Sequence, residues 1–155
     1  MRHAIDDQNW REQIKDIFDH KIPFNRVLGL RVQSLDKDRS KIRFEMREDL
    51  VGNFIRGSLH GGVISAVIDV TGGLAAFMGL QSRLAGEPLE VKLNQFRKLG
   101  TIDLRIDYLR PGVGKVFDAT GYPLRTGNKV AVTRIELGNE KEQLIAVGTG
   151  AYVIS

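Results

Sequence analysis

The chain has no cysteine among its 155 residues. That excludes disulfides, thiol nucleophiles and every zinc pattern that needs sulfur. Histidine is nearly as scarce: His3, His20 and His60 are too widely spaced to suggest a ligand cluster, so no metal and no cofactor is expected. No signal peptide is evident in MRHAIDDQNW and no uncharged apolar run approaches a membrane span, so the expected address is cytoplasmic. Concentrated charge of one sign is missing too. The net charge of +4 is spread through mixed stretches such as LDKDRSKIRFEMRED, which read as solvated faces rather than a nucleic-acid stripe. A modest positive excess suits a phosphorylated small molecule equally well.

What is present is the patterning of one α+β domain, of a length that allows a sizeable core. Trp10, Ile14, Ile17 and Phe18 recur at helical spacing, and Pro23 marks the end of this opening helix. LGLRVQSLDKDRSKIRFEMRED holds two alternating runs joined by a polar turn, a hairpin with Ile42, Phe44 and Met46 on one face. LVGNFIRGS reads as an irregular approach to a helix over roughly Gly61 to Leu80, and Leu89, Leu93 and Phe96 predict a short helix after it. Four strand-like runs follow, TIDLRIDYL, KVFDATGYPL, KVAVTRIEL and QLIAVGTGAYVI, expected to form an antiparallel meander. The central helix carries Val63, Ile64, Val67, Ile68, Val70, Leu74, Phe77 and Met78 around its circumference. A sheet of about six strands must curl round it, and a second subunit is a natural source of the remaining cover. Residues 1–26 are expected as an N-terminal helical segment packed on a domain of residues 27–155.

Asp69 is the one charge in that helix, set between Ile68 and Val70. An ionised carboxylate in apolar surroundings is costly unless it is paired or bound, so something must offset it. Two explanations stay open. Asp69 lies on a narrow solvent-facing stripe, or accepts a bond from a loop amide or arginine; or it is a general base or nucleophile in a largely dry cleft, where burial strengthens it as a base.

His60, Gly61 and Gly62 stand where the helix begins, and a helix start offers unpaired N–H groups with a partial positive charge. Glycine leaves room for an incoming carbonyl, which makes the Gly61 amide the candidate oxyanion donor. A lone histidine there is more often a cap or a packed side chain than a catalyst. Gly61 and Asp69 lie about 12 Å apart along an α-helix, whereas donor and base must each come within about 3 Å of the reacting atoms. One helix cannot supply both. Two copies running antiparallel across a two-fold axis can, each site taking Gly61 from one chain and Asp69 from the other.

Asn53, Gly57, His60, Gly61 and Gly62, followed by an aspartate nine positions after the histidine, resemble the phenylacetyl-CoA thioesterase-like branch of the hotdog-fold acyl-CoA thioesterases. The order of elements from about Val27 to Ile154 is similar to that fold, and IDYLRP to its third main strand. The nearest likeness is to bacterial members acting on medium- and long-chain acyl-CoA. The resemblance implies that Asp69 activates the hydrolytic water or attacks the thioester, that the Gly61 amide polarises the carbonyl, and that His60 shapes the turn. It further implies that Asn53 helps bind the thioester or water, that Thr101 assists as a strand hydroxyl, and that the protein acts on acyl-CoA with a homodimer as its catalytic unit, two dimers pairing into a homotetramer. Two departures stand out: Asn53 lies seven residues before His60, one more than the family pattern, and GEPLEVKLNQFRKL lengthens the link after the helix.

The CoA phosphates would meet cations on turns and strand ends, for which Arg110, Arg125 and Lys129 are candidates. Gly62 would help receive the substrate, and Phe54, Ile55, Leu74 and Met78 would wall the acyl group. The rival functions are a non-catalytic acyl-CoA or fatty-ligand sensor, a hydratase or dehydratase on the same fold, and, more weakly, a nucleic-acid module.

Overall fold

The structure, a computed structural model, describes residues 2–81 and 83–155; the side chains of residues 2–7, His3 among them, lie outside the description. Helix α1 (Arg2–Asp16) runs into a π-helical turn (Ile17–Lys21) and then helix α2 (Pro23–Leu28). Pro23 therefore ends one helix and opens the next, where its missing N–H would have found no partner in any case. Helix α2 crosses the boundary expected after residue 26. Trp10, Ile14 and Phe18 belong to the same buried cluster as the rest of the molecule. Asp19, buried in the π-helical turn, anchors this segment: Oδ1 accepts the Val32 N–H at 2.7 Å and Oδ2 the Lys15 ammonium at 2.9 Å.

Strands β1 (Arg31–Leu35) and β2 (Ser40–Glu45) form the expected hairpin. The irregular approach contains a small hairpin of its own, β3 (Val51–Asn53) and β4 (Ser58–Leu59). Helices α3 (Gly61–Met78) and α4 (Leu89–Arg97) follow, then β5 (Gly100–Tyr108), β6 (Val116–Thr126), β7 (Val130–Asn139) and β8 (Leu144–Val153). The main sheet has six antiparallel strands in the order β1-β2-β6-β7-β8-β5.

That order corrects the expected four-strand meander. Only β6, β7 and β8 follow one another; β5 pairs with β8 at the far edge, and β6 inserts beside β2. Alternation reports which face of a strand is buried and not which strand lies beside it. The connections tell the two cases apart: β6–β7 and β7–β8 are joined by tight turns, whereas residues 109–115 between β5 and β6 are too many for a tight hairpin and contain Pro111.

The sheet curls round α3. At Gly121 and Gly148 an added Cβ would come within 2.8 Å of the Thr71 carbonyl oxygen and 2.5 Å of Ile68 Cγ2, so the helix rests directly on strand backbone. From Thr71 to Met78 every residue of α3 is buried, while Val63, Ser65, Ala66, Asp69 and Val70 keep a half-open stripe. By length and hydropathy Gly61–Met78 could cross a membrane, but it is the core helix of this fold. The stripe lies on the side of β5, whose outer edge pairs with no strand among the described residues.

Candidate active site

The first turn of α3 is built by its cap. His60 is extended, and its Nδ1 accepts the Gly62 N–H at 2.8 Å, which fixes the proton on Nε2 when the ring is neutral. The N–H groups of Val63 and Ile64 both reach the His60 carbonyl. Among the described residues the Gly61 N–H donates to nothing, and Gly61 is exposed. Among the described residues the helix start therefore presents one free amide, that of Gly61. Tyr108, near the end of β5, lies against it, its hydroxyl donating to the Gly61 carbonyl at 3.2 Å.

Two turns further on, Asp69 is half-buried, and its Oδ1 accepts the Thr101 hydroxyl at 2.9 Å. Its offset is thus a strand hydroxyl, not the loop amide or arginine weighed above, together with partial access to solvent. Oδ2 accepts no bond among the described residues. Directly beneath, the Tyr152 hydroxyl donates to the Asp69 backbone carbonyl at 3.0 Å. Burial, and then the nearby Asp69 charge, push the Tyr152 phenol well above its ordinary range, so it stays a neutral donor. Tyr152 is fully buried and fits only because Gly72 has no side chain: a Cβ there would sit 2.2 Å from its hydroxyl oxygen.

Asp69 and Thr101 also border an apolar pocket of about 210 Å³ that opens to the surface. Its walls combine Val70 and Gly73 of α3 with Phe96 of α4, Leu99, and Phe18 and Phe24 of the N-terminal segment. Asn25 stiffens that wall from behind, its side-chain N–H donating to the Phe18 carbonyl at 3.0 Å.

Several expected positions fall elsewhere. Leu74 and Met78 are fully buried in the core and do not line this pocket. Phe54 and Ile55 stand 87% and 83% exposed at the tip of the β3–β4 hairpin. Asn53 opens that turn, its Oδ1 accepting the Arg56 N–H at 3.1 Å, so within one chain it has a local structural task. The three cations do not converge. Arg110 lies in the 109–115 loop that meets Leu59 beside the helix start, while Arg125 and Lys129 belong to the β6–β7 end, where Thr126 packs against Gly79 past the helix C-terminus.

Tyr108, Tyr152 and the pocket residues of the N-terminal segment are not singled out by the sequence. For Tyr152 a signal exists in GTGAY: Gly148 and Gly150 share its face at two-residue spacing and leave room for both its ring and the helix above. For Phe18 and Phe96 there is none, because their meeting depends on packing across the whole chain.

Comparison with known proteins identifies relatives of this chain. Residues 56–146 fit the family model described as the thioesterase superfamily. The medium/long-chain acyl-CoA thioesterase YigI of Escherichia coli is 40% identical over 144 residues, covering 91% of each chain. The crystal structure of a Shewanella oneidensis protein related to the thioesterase superfamily superposes with a TM-score of 0.91 at 41% identity, over 96% of this chain and 97% of that one. The phenylacetic acid degradation protein PaaI of Thermus thermophilus superposes with a TM-score of 0.67 at 25% identity, over 86% of this chain and 100% of that one. A six-stranded sheet curled round one long helix, matched by family model, sequence and structure, makes this chain a hotdog-fold member of the thioesterase superfamily.

Proposed function

We propose that the protein hydrolyses the thioester bond of medium- to long-chain or aryl acyl-CoA, with Asp69 as the base and the Gly61 amide of a second copy as the oxyanion donor. The observation that carries this proposal is the Asp69 carboxylate, held through one oxygen by Thr101 and free at the other, at the mouth of an apolar pocket. Asp69 takes a proton from water as the water oxygen attacks the carbonyl carbon; the developing oxyanion accepts the Gly61 N–H; the C–S bond then breaks, and the CoA sulfur leaves with that proton. The name of the E. coli relative, a medium/long-chain acyl-CoA thioesterase, supports the choice of substrate.

The two halves of the site lie along the free edge of β5, since Thr101 bonds Asp69 near one end and Tyr108 bonds the Gly61 carbonyl near the other. Antiparallel pairing of β5 with its copy would bring unlike ends together. Residues directly opposed in such a pair share a face, so the two-fold axis passes through a residue. An axis at Leu104 sets Asp103 opposite Arg105 of the other copy, twice per dimer, with apolar Ile102 and Ile106 nearby. We expect Asp103→Arg to weaken the dimer roughly tenfold or more by placing like charges opposite each other, and Asp103→Arg with Arg105→Asp to restore it, as sedimentation at graded protein concentration would read. Pairing of two dimers into a homotetramer and a cytoplasmic address complete the proposal; the lack of cysteine is compatible with the latter.

The test is release of free CoA thiol from a panel of acyl-CoAs by the wild type and Asp69→Asn. Binding without release by the wild type would favour the acyl-CoA sensor instead. Equal turnover by both proteins would remove Asp69 from the mechanism.

A further inference from the structure

We infer that Gly73, with Phe96 facing it from α4, sets the length of acyl chain the site accepts; this rests on Asp69 marking the reacting end. Asp69 and Gly73 are one turn apart on the same face of α3, about 6 Å along the axis. An acyl group whose carbonyl lies at Asp69 and whose chain runs toward the helix C-terminus crosses Gly73 first.

Adjacent glycines in this helix have different reasons to be glycine. At Gly72 a Cβ would collide with Tyr152 at 2.2 Å and with Ile135 at 2.9 Å, so packing inside the chain demands glycine. At Gly73 the nearest atoms to a Cβ are Tyr152 Cε1 at 3.5 Å and Leu99 Cδ2 at 3.7 Å, ordinary contact distances. Nothing within the chain requires glycine there, and glycine weakens a helix interior relative to alanine. What its absent side chain does is deepen the pocket, since Gly73, Leu99 and Tyr152 all line it.

The far wall is Phe96, its ring edge-on to Phe18 at 5.8 Å and to Phe77 at 5.3 Å, with Phe77 backed by Trp10 at 5.5 Å. This aromatic stack separates the pocket from the core. A short acyl chain lies between Gly73 and Phe96, and a longer one must turn out through the open side. The wall comes from the N-terminal segment and from α4 and Leu99 after the central helix.

The experiment measures kcat/KM for butyryl-, octanoyl-, decanoyl- and palmitoyl-CoA with wild type, Gly73→Val, Phe96→Leu and Asp69→Asn, and records the mass of each in solution. Gly73→Val should lower the decanoyl-to-butyryl ratio at least tenfold by filling the floor of the pocket, since even one methylene's worth of space changes discrimination by about that factor. Phe96→Leu should shift the ratio the other way and raise palmitoyl relative to octanoyl several-fold. Unchanged ratios in both variants would overturn the inference. So would dissociation of the assembly by Gly73→Val, which would assign the notch to a subunit contact. Full activity in Asp69→Asn would instead defeat the proposed base, leaving the ratios of the other two variants to be judged separately.

Discussion

Asp69→Asn is expected to reduce thiol release from acyl-CoA by at least about 100-fold in kcat, the range over which a positioned general base contributes. The substitution is nearly isosteric, and the amide oxygen of Asn can still accept the Thr101 hydroxyl that now reaches Oδ1 at 2.9 Å. What disappears is the second oxygen as a proton acceptor, because an amide takes no proton from water near neutrality. The loss should therefore fall on kcat with little change in thermal unfolding. Thr101→Val separates positioning from chemistry. It keeps the carboxylate and removes only the bond that orients it, so the fall should be smaller, about tenfold, the cost of roughly one hydrogen bond to a charged group. Steady-state rates together with melting curves distinguish these outcomes from simple unfolding.

The largest effect on stability is expected at Gly72→Ala. Tyr152 is fully buried, its hydroxyl donates to the Asp69 carbonyl at 3.0 Å, and a methyl at Gly72 would stand 2.2 Å from that oxygen. The ring must move, which adds overpacking strain and leaves a buried hydroxyl without its acceptor; alanine's better helix propensity recovers only part. The net cost should be about 2–4 kcal/mol, lowering Tm by roughly 5–15 °C for a chain of this length. Combining it with Tyr152→Phe removes the clashing oxygen and should restore part of the loss. Gly73→Ala, one residue away, meets only ordinary contacts and should leave Tm unchanged or slightly higher. If the two alanine variants melt alike, the packing assigned to Tyr152 is wrong.

These adjacent glycines also mark the limit of what could be read beforehand. In VTGG they are indistinguishable, and only the position of Tyr152, eighty residues or so further along the chain, separates them. The same holds for Thr101 against Asp69. The sequence placed each near the start or middle of its element, but the 2.9 Å bond between them depends on β5 lying at the sheet edge beside α3. The expected meander would have set β5 next to β6 instead.

The sequence by itself determined the elements and the chemistry carried on one helix. Local periodicity fixes which faces are apolar, a His-Gly-Gly start leaves an amide open, and a lone aspartate in an apolar helix calls for a partner. Each of these depends on neighbours within a few residues. Only the tertiary structure decided which strand borders which, that Leu74 and Met78 belong to the core, that Phe54 and Ile55 stand exposed, and that the N-terminal segment walls the pocket beside Asp69. Those arrangements arise from competition among many apolar faces for the same buried volume, which no local pattern records.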